Sequence, residues 1–340
     1  MSNLRILDIL VSRSLFLDVA SKNLRCLEIC AGAGGQAIGL EQAGFEPLGL
    51  IENDHAACTT LRINRPHWNV VQDDLHFYSA KRLEGQVDLL AGGVPCPPFS
   101  IAGKQLGGDD DRDLFPVALR LVSECMPRAV MLENVRGFLG KKFGYYRLLL
   151  RERFEELGYE MLEPCLLSAS DFGVPQLRPR TVIVAFRSDS LGSFRWPGPV
   201  NGGPPSVGKV LKDLMAEGGW VGAEAWAERA STIAPTLVGG SKKHGGADLG
   251  PTRAKKAWLE MGIDGMGLAN EPPPPNWKGP PKLTVRMTAK LQGFPDEWEF
   301  YGGKTAQYRQ VGNAFPPPVA NAVAEQIRQV LCCSRPKVAV

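Results

Sequence analysis

From the N-terminus to about Arg187, short apolar runs alternate with longer amphipathic ones. The runs "LRCLEIC", "PLGLIE", "VDLLAGG", "RAVMLEN" and "TVIVAF" predict strands, with helices between them, notably over residues 36–43, Phe115–Cys125 and 145–157. This is the pattern of strand–helix–strand units around a mostly parallel sheet, so the class is α/β. From residue 188 the texture changes. "WPGPVNGGPPS", "GGSKKHGGADLGPT" and "EPPPPNWKGPP" are rich in glycine and proline, without strong periodicity, and predict a smaller, loop-rich region over 188–282. The proline run 272–275 reads as a stiff linker. Periodicity returns over 283–340, where "PPPVANAVAEQIRQVL" predicts a closing helix whose prolines suit its first turn. The chain is thus expected to leave a first domain of residues 1–187, form a second region, and return to the first.

Composition narrows the class. The 340 residues are 44% hydrophobic and 22% charged, ordinary globular usage with enough chain for a sizeable core. Asp8, Arg13 and Asp18 interrupt the N-terminal apolar positions, and no run is long enough to cross a membrane, which points to a cytoplasmic protein. Eight cysteines without C-x-x-C spacing and four histidines without a ligand cluster point away from a disulfide framework and from a metal site. Free thiols leave a cysteine available as a nucleophile. A net charge of +3 permits an anionic partner without requiring one.

The segment "LRCLEICAGAGGQAIGLEQAGFEPLGLIEND" reads as strand, glycine loop, helix, strand. Gly32, Gly34 and Gly35 would let backbone approach a ligand, and Gly44 would close the helix. Glu52 ends the next strand, where such folds place an acid on ribose hydroxyls. Asp73 or Asp74 in "VVQDDLHF" could meet an adenine amine, although a surface turn explains that pair almost as well. "GAGGQA" also satisfies G-x-G-x-x-A, so a dinucleotide site stays open.

A second constellation follows. In "GGVPCPPFS", a strand delivers Cys96 to the carboxyl edge of the sheet, and Pro95, Pro97 and Pro98 stiffen the turn that displays it. The glycine-rich, charged stretch after Ser100 reads as a loop that closes over a substrate. Glu133 ends the strand of "RAVMLENV", while Arg178 and Arg180 in "QLRPR" lie two apart, with side chains expected on one side. A thiol, a carboxyl and two guanidiniums suit a polar planar substrate.

"AGAGG", "PCPPFS", "ENV", "QLRPR", "LQGFPDEW" and "QVGNAFPPPVANAVA" occur in the order found in DNA cytosine-5 methyltransferases, and the chain resembles that family over residues 24–331, least within the variable region before "LQGFP". The resemblance implies a Rossmann-like methyltransferase domain with helices on both faces of its sheet, plus a target-recognition domain. It implies S-adenosylmethionine as methyl donor, leaving S-adenosylhomocysteine. Cys30, Ala31, Gly32, Gly34, Gly35, Glu52, Asn53, Asp74, Leu75, Pro95, Asn313 and Ala314 would form the cofactor site, with Glu52 on the ribose, Asp74 at the adenine and Asn313 near the methionine portion. Cys96 would add to ring carbon 6 of a flipped-out cytosine, Glu133 would bond ring nitrogen 3 and the amine, Arg178 the base carbonyl, and Arg180 would support that pocket. Two departures stand out: Cys30 occupies a position where many members have Phe, and Pro97-Pro98 follows the nucleophile where Gln commonly appears.

Duplex DNA is the implied partner, met by Ser100, Lys104, Gln105 and Arg112 of the loop and by the variable region. There Thr236-Leu237 resembles a pair common in the family, and Lys242, Lys243, Arg253, Lys255 and Lys256 face one acid, Asp248, over residues 241–256. The resemblance implies a bacterial or phage restriction–modification type, expected to be a monomer acting on a short duplex site in the cytoplasm at the nucleoid, with a separate endonuclease as a possible companion. Three other readings stay distinct: a tRNA cytosine methyltransferase of similar motif order, a nicotinamide-dependent oxidoreductase prompted by "GAGGQA", and a catalytically silent DNA-binding relative.

Overall fold

A computed structural model describes residues 23–95, 113–190, 192–240 and 246–333. Within them eight strands form one sheet: β1 (Leu24–Ile29), β2 (Phe45–Glu52), β3 (Val70–Gln72), β4 (Leu89–Gly92), β5 (Ala129–Val135), β6 (Tyr159–Met161), β7 (Cys165–Ser168) and β8 (Pro179–Arg187). The order is β3-β2-β1-β4-β5-β8-β6, with β7 also paired to β8. β3 to β5 are parallel; β8 runs antiparallel to β5, β6 and β7. The five predicted strands are all present. β3, β6 and β7 are additional, and at three or four residues each they are too short to show a period in the sequence.

The central strands are apolar on both faces, and alternate residues feed two cores. Leu27, Ile29, Val130, Leu132 and Ile183 pack under α3 (Phe115–Cys125) and α4 (Gly144–Glu156). Cys26, Met131, Val182 and Val184 pack under α1 (Gly35–Gln42) and the closing helix Pro317–Cys333. α2 (His55–Asn64) flanks the β2 side, capped by the Asp54 carboxylate, which accepts from the Ala56 and Ala57 amides.

The described part of residues 188–282 sets helices among its loops. It holds α5 (Val207–Ala216), α6 (Ala223–Arg229) and α7 (Thr252–Glu260) around buried Trp226 and Trp258. That core also takes in Leu283, Met287 and Leu291, the last two on α8 (Val285–Gln292), and Tyr308 of α9 (Lys304–Asn313), so packing runs through the expected boundary at 282. The proline run is not a free spacer: Pro273 carbonyl lies 2.3 Å from where a Cβ on Gly218 would stand, seated on the end of α5. The closing helix α10 (Pro317–Cys333) crosses α1 at Gly39, where a Cβ would come within 2.6 Å of Ala320, the Asn321 nitrogen and the Pro317 carbonyl. Among the described residues no helix is long and apolar enough to cross a membrane.

Candidate functional site

β1 ends in the glycine loop. Cys30 (φ 51°), Gly32 (φ 54°) and Gly34 (φ 91°) take left-handed backbone, and Gly34 caps α1. A Cβ on Gly32 would meet nothing within 4 Å, so that glycine opens the turn toward space. Gly35 is required by packing instead, since a Cβ there would lie 2.4 Å from the Phe315 carbonyl. Glu52 closes the loop from β2: its Oε2 accepts from the Gly32 amide at 2.8 Å, and its Oε1 from the Asn53 and Asp54 amides at 2.9 and 2.8 Å. Three of roughly four acceptor positions on this carboxylate are filled, and the remainder can take a ligand hydroxyl.

A cavity of about 250 Å³ runs from this loop across the sheet edge. Cys30, Ala31, Gly32, Gly35 and Glu52 line it, as do Asn313 and Ala314 at the end of α9, and Glu133 and Gly93 stand in the same wall. Glu133 Oε1 meets Arg180 Nε at 2.8 Å, both side chains nearly buried. Burial pushes the Glu133 carboxyl up, against the opposing pull of Arg180 and then Arg178. A Cβ on Gly93 would lie 3.3 Å from Glu133 Oε2, so the bare glycine leaves that oxygen room.

Beyond the small residues Ala33, Ala57 and Gly93, the lining residues absent from the sequence reading are Glu28, Gln36, Asp54, Arg309, Gln310 and Phe315. Glu28 Oε1 and both amide atoms of Gln36 are buried without a hydrogen-bond partner. Burial, and then Glu52, raise the Glu28 carboxyl well above its usual range. Such orphaned groups cost free energy unless a ligand pairs with them, which fits a polar occupant. The sequence signals were an acid inside the apolar run "CLEIC" and a glutamine directly behind the last loop glycine.

Several expectations are corrected. The two arginines have different surroundings rather than lying side by side. Arg178 is fully buried, and its guanidinium donates to the carbonyls of Leu237 (2.7 Å), Gly312 (2.8 Å) and Ala314 (2.8 Å). It ties the second region to the end of α9, and Arg180 is the guanidinium that meets Glu133. Asp74 turns onto its own loop: its Oδ1 accepts from the His76 amide and lies 2.8 Å from that ring's Nδ1, contacts that hold its carboxyl below the usual range. Asp74 does not line the cavity, and the Leu75 side chain is in the core under α3. Asn53 and Pro95 are outside the lining as well.

At Cys30, burial and then Glu52 and Glu28 raise the thiol, so it stays neutral. Asn313 Nδ2 donates to the Gly240 carbonyl at 3.1 Å. Thr236 Oγ1 donates to the Leu177 carbonyl, a bond that shapes the chain beside Arg178. The basic stretch is helical: Arg253, Lys255 and Lys256 lie on α7, and Lys255 Nζ is held by Asp248 at 3.0 Å. Arg253 and Lys256 are exposed. Cys96, Ser100, Lys104, Gln105, Arg112, Lys242 and Lys243 lie outside the described residues.

Comparison with known proteins adds independent findings. The family described as C-5 cytosine-specific DNA methylase matches residues 24–329. The Type II methyltransferase M.NaeI of Lentzea aerocolonigenes is 56% identical over 315 residues, covering 91% of this chain and 76% of that protein. M.NgoMIV of Neisseria gonorrhoeae is 52% identical over 308 residues, covering 90% and 97%. In fold, the chain is similar to a prophage-encoded protein of E. coli described as a DNA modification methyltransferase, with TM-score 0.65 at 23% identity over 91% of this chain and 99% of that one. It is also similar to DNMT2 of Spodoptera frugiperda, with TM-score 0.63 at 17% identity over 89% and 99%.

Proposed function

The chain belongs to the C-5 cytosine-specific DNA methylase family and transfers a methyl group to carbon 5 of cytosine in DNA; we propose that it does so by covalent catalysis from Cys96 in the cleft that Glu52 and Glu133 share. One observation carries this reading: the loop fit for a nucleoside and the raised carboxyl fit for a base line a single cavity. The nicotinamide reading is displaced by the family match, which also favours DNA over tRNA.

S-adenosylmethionine, when bound, supplies an electrophilic methyl sulfonium. The residues present fit it. Glu52 retains an acceptor position for a ribose hydroxyl, while Glu28, Gln36 and Asn313 bring polar groups to the other wall. The cytosine must leave the duplex to reach Glu133. The Cys96 thiolate adds to ring carbon 6 as Glu133 gives a proton to ring nitrogen 3, which makes carbon 5 an enamine nucleophile. Carbon 5 then takes the methyl group. The carbon 5 proton passes to solvent water, its electron pair forms the carbon 5–carbon 6 double bond, the carbon 6–sulfur bond breaks to release the thiolate, and ring nitrogen 3 returns its proton to Glu133. Arg180, beside that carboxyl, holds the base carbonyl in place of Arg178. Exposed Arg253 and Lys256 on α7, with Lys242 and Lys243, provide phosphate contacts for a target-recognition region. A short duplex site, a separate cognate endonuclease, a monomeric state and a cytoplasmic setting complete the reading.

The test is duplex DNA carrying 5-fluorocytosine, incubated with the protein and labelled S-adenosylmethionine and run on a denaturing gel. Fluorine cannot leave as the carbon 5 proton does, so a covalent complex is expected, absent in Cys96→Ala. A complex on tRNA alone would favour RNA. No complex on either would refute the covalent route.

A further inference from the structure

We propose that Trp298 is a positioning residue of the cofactor site: its indole clamps the glycine loop from behind and presets it for a ligand. The segment "LQGFPDEW" has no part in the chemistry above, yet its last residue reaches the loop. Trp298 Nε1 donates to the Ala33 carbonyl at 3.1 Å across 265 residues of chain, inside the core. The ring lies against Gly34, where a Cβ would come within 2.9 Å of indole Cζ2, and Leu61 closes the other side at 2.8 Å. The indole is itself held. The Arg65 guanidinium carbon stands 5.2 Å from the Trp298 ring centroid and 5.7 Å from that of Trp68, while Arg65 Nε pairs with Glu41 of α1 at 3.1 Å. Loop, helix and indole thus form one closed set of contacts.

Trp298 does not line the cavity of Glu52 and Glu133. It walls a separate groove with Ala269 and Asn270, so it touches no cofactor and acts through the loop. The need is physical. A turn with glycines at 32, 34 and 35 is free to reorganise, and ordering it on binding would subtract from affinity. A donor fixed on the Ala33 carbonyl removes that cost in advance.

The inference rests on the reading of the cavity as the S-adenosylmethionine site, and its test has one arm that does not. Trp298→Phe keeps an aromatic ring on Gly34 but leaves the Ala33 carbonyl unpaired. In the free full-length enzyme, amide exchange of peptides covering 31–36 should quicken about tenfold while those of β4 and β5 stay unchanged. The dissociation constant for S-adenosylmethionine should rise about tenfold, with kcat at saturating cofactor and DNA affinity each within about twofold. Arg65→Lys, which keeps the charge beside Glu41 and loses the planar stack, should shift both readouts about threefold in the same direction and covers the case in which Trp298→Phe misfolds. Unchanged exchange in both variants, or equal quickening across the sheet, would overturn the clamp. A wild-type enzyme that does not bind S-adenosylmethionine would instead remove the underlying reading, and the exchange arm would still decide the clamp.

Discussion

Glu133 and Arg178 show how burial assigns roles that residue type alone does not. Burial raises the Glu133 carboxyl, so it keeps its proton to higher pH than an ordinary glutamate. The donor is lost as pH rises through that raised value, so kcat should fall on the alkaline side. Glu133→Gln should lower kcat by about 10²-fold or more and flatten that limb, with cofactor affinity unchanged by calorimetry. Arg178 holds three carbonyls, so Arg178→Ala should destabilise the fold by about 3–5 kcal/mol in denaturant titrations. Arg180→Ala should leave the unfolding midpoint much closer to wild type and cut turnover instead. Glu28 gives a third test. With its folded pKa raised, its contribution to stability is fully present below the unfolded carboxylate value, near about 4.3, and is lost as pH rises through the folded value. Glu28→Gln should therefore gain stability relative to wild type between acid and neutral pH, read from unfolding midpoints across that range. At this scale the sequence pointed to Glu52 and Glu133 because each ends an apolar strand. The fate of Arg178 was hidden, since its partners lie 59 to 136 residues away.

Among elements, the helix pair α1 and α10 depends on the absence of a side chain at Gly39. Gly39→Val should cost several kcal/mol, because backbone atoms of α10 cannot yield. Gly32→Ala should cost only about 1–2 kcal/mol, for its positive φ alone, since the space around it is open. On α7, replacing Arg253 and Lys256 with alanine should reduce the slope of log affinity for DNA against log salt by about two, while Lys255→Ala should change it less because Asp248 already holds that charge. The long strands were legible as apolar runs bounded by glycine and proline. The spacing of Val207, Leu211, Leu214 and Met215 is helical too, but glycine and proline on both sides obscure α5, and the glycines of the basic run predict a loop where its last residues, from Thr252, belong to α7.

At the scale of the whole molecule, the order of motifs conveyed the parallel sheet and the return of the chain, but not how the second region joins it. Beside the shared core around Trp226 and Trp258, one part of the join is made of main chain. Arg178 grips carbonyls on both sides, and the backbones of Gly239 and Gly312 cross so closely that a Cβ on Gly312 would lie 2.3 Å from the Gly239 nitrogen. At this crossing the contact is blind to the identity of the side chains carried beyond it. Under the proposed target-recognition role, side chains outside the shared core can drift without disturbing this crossing, provided a glycine is kept at each side of it.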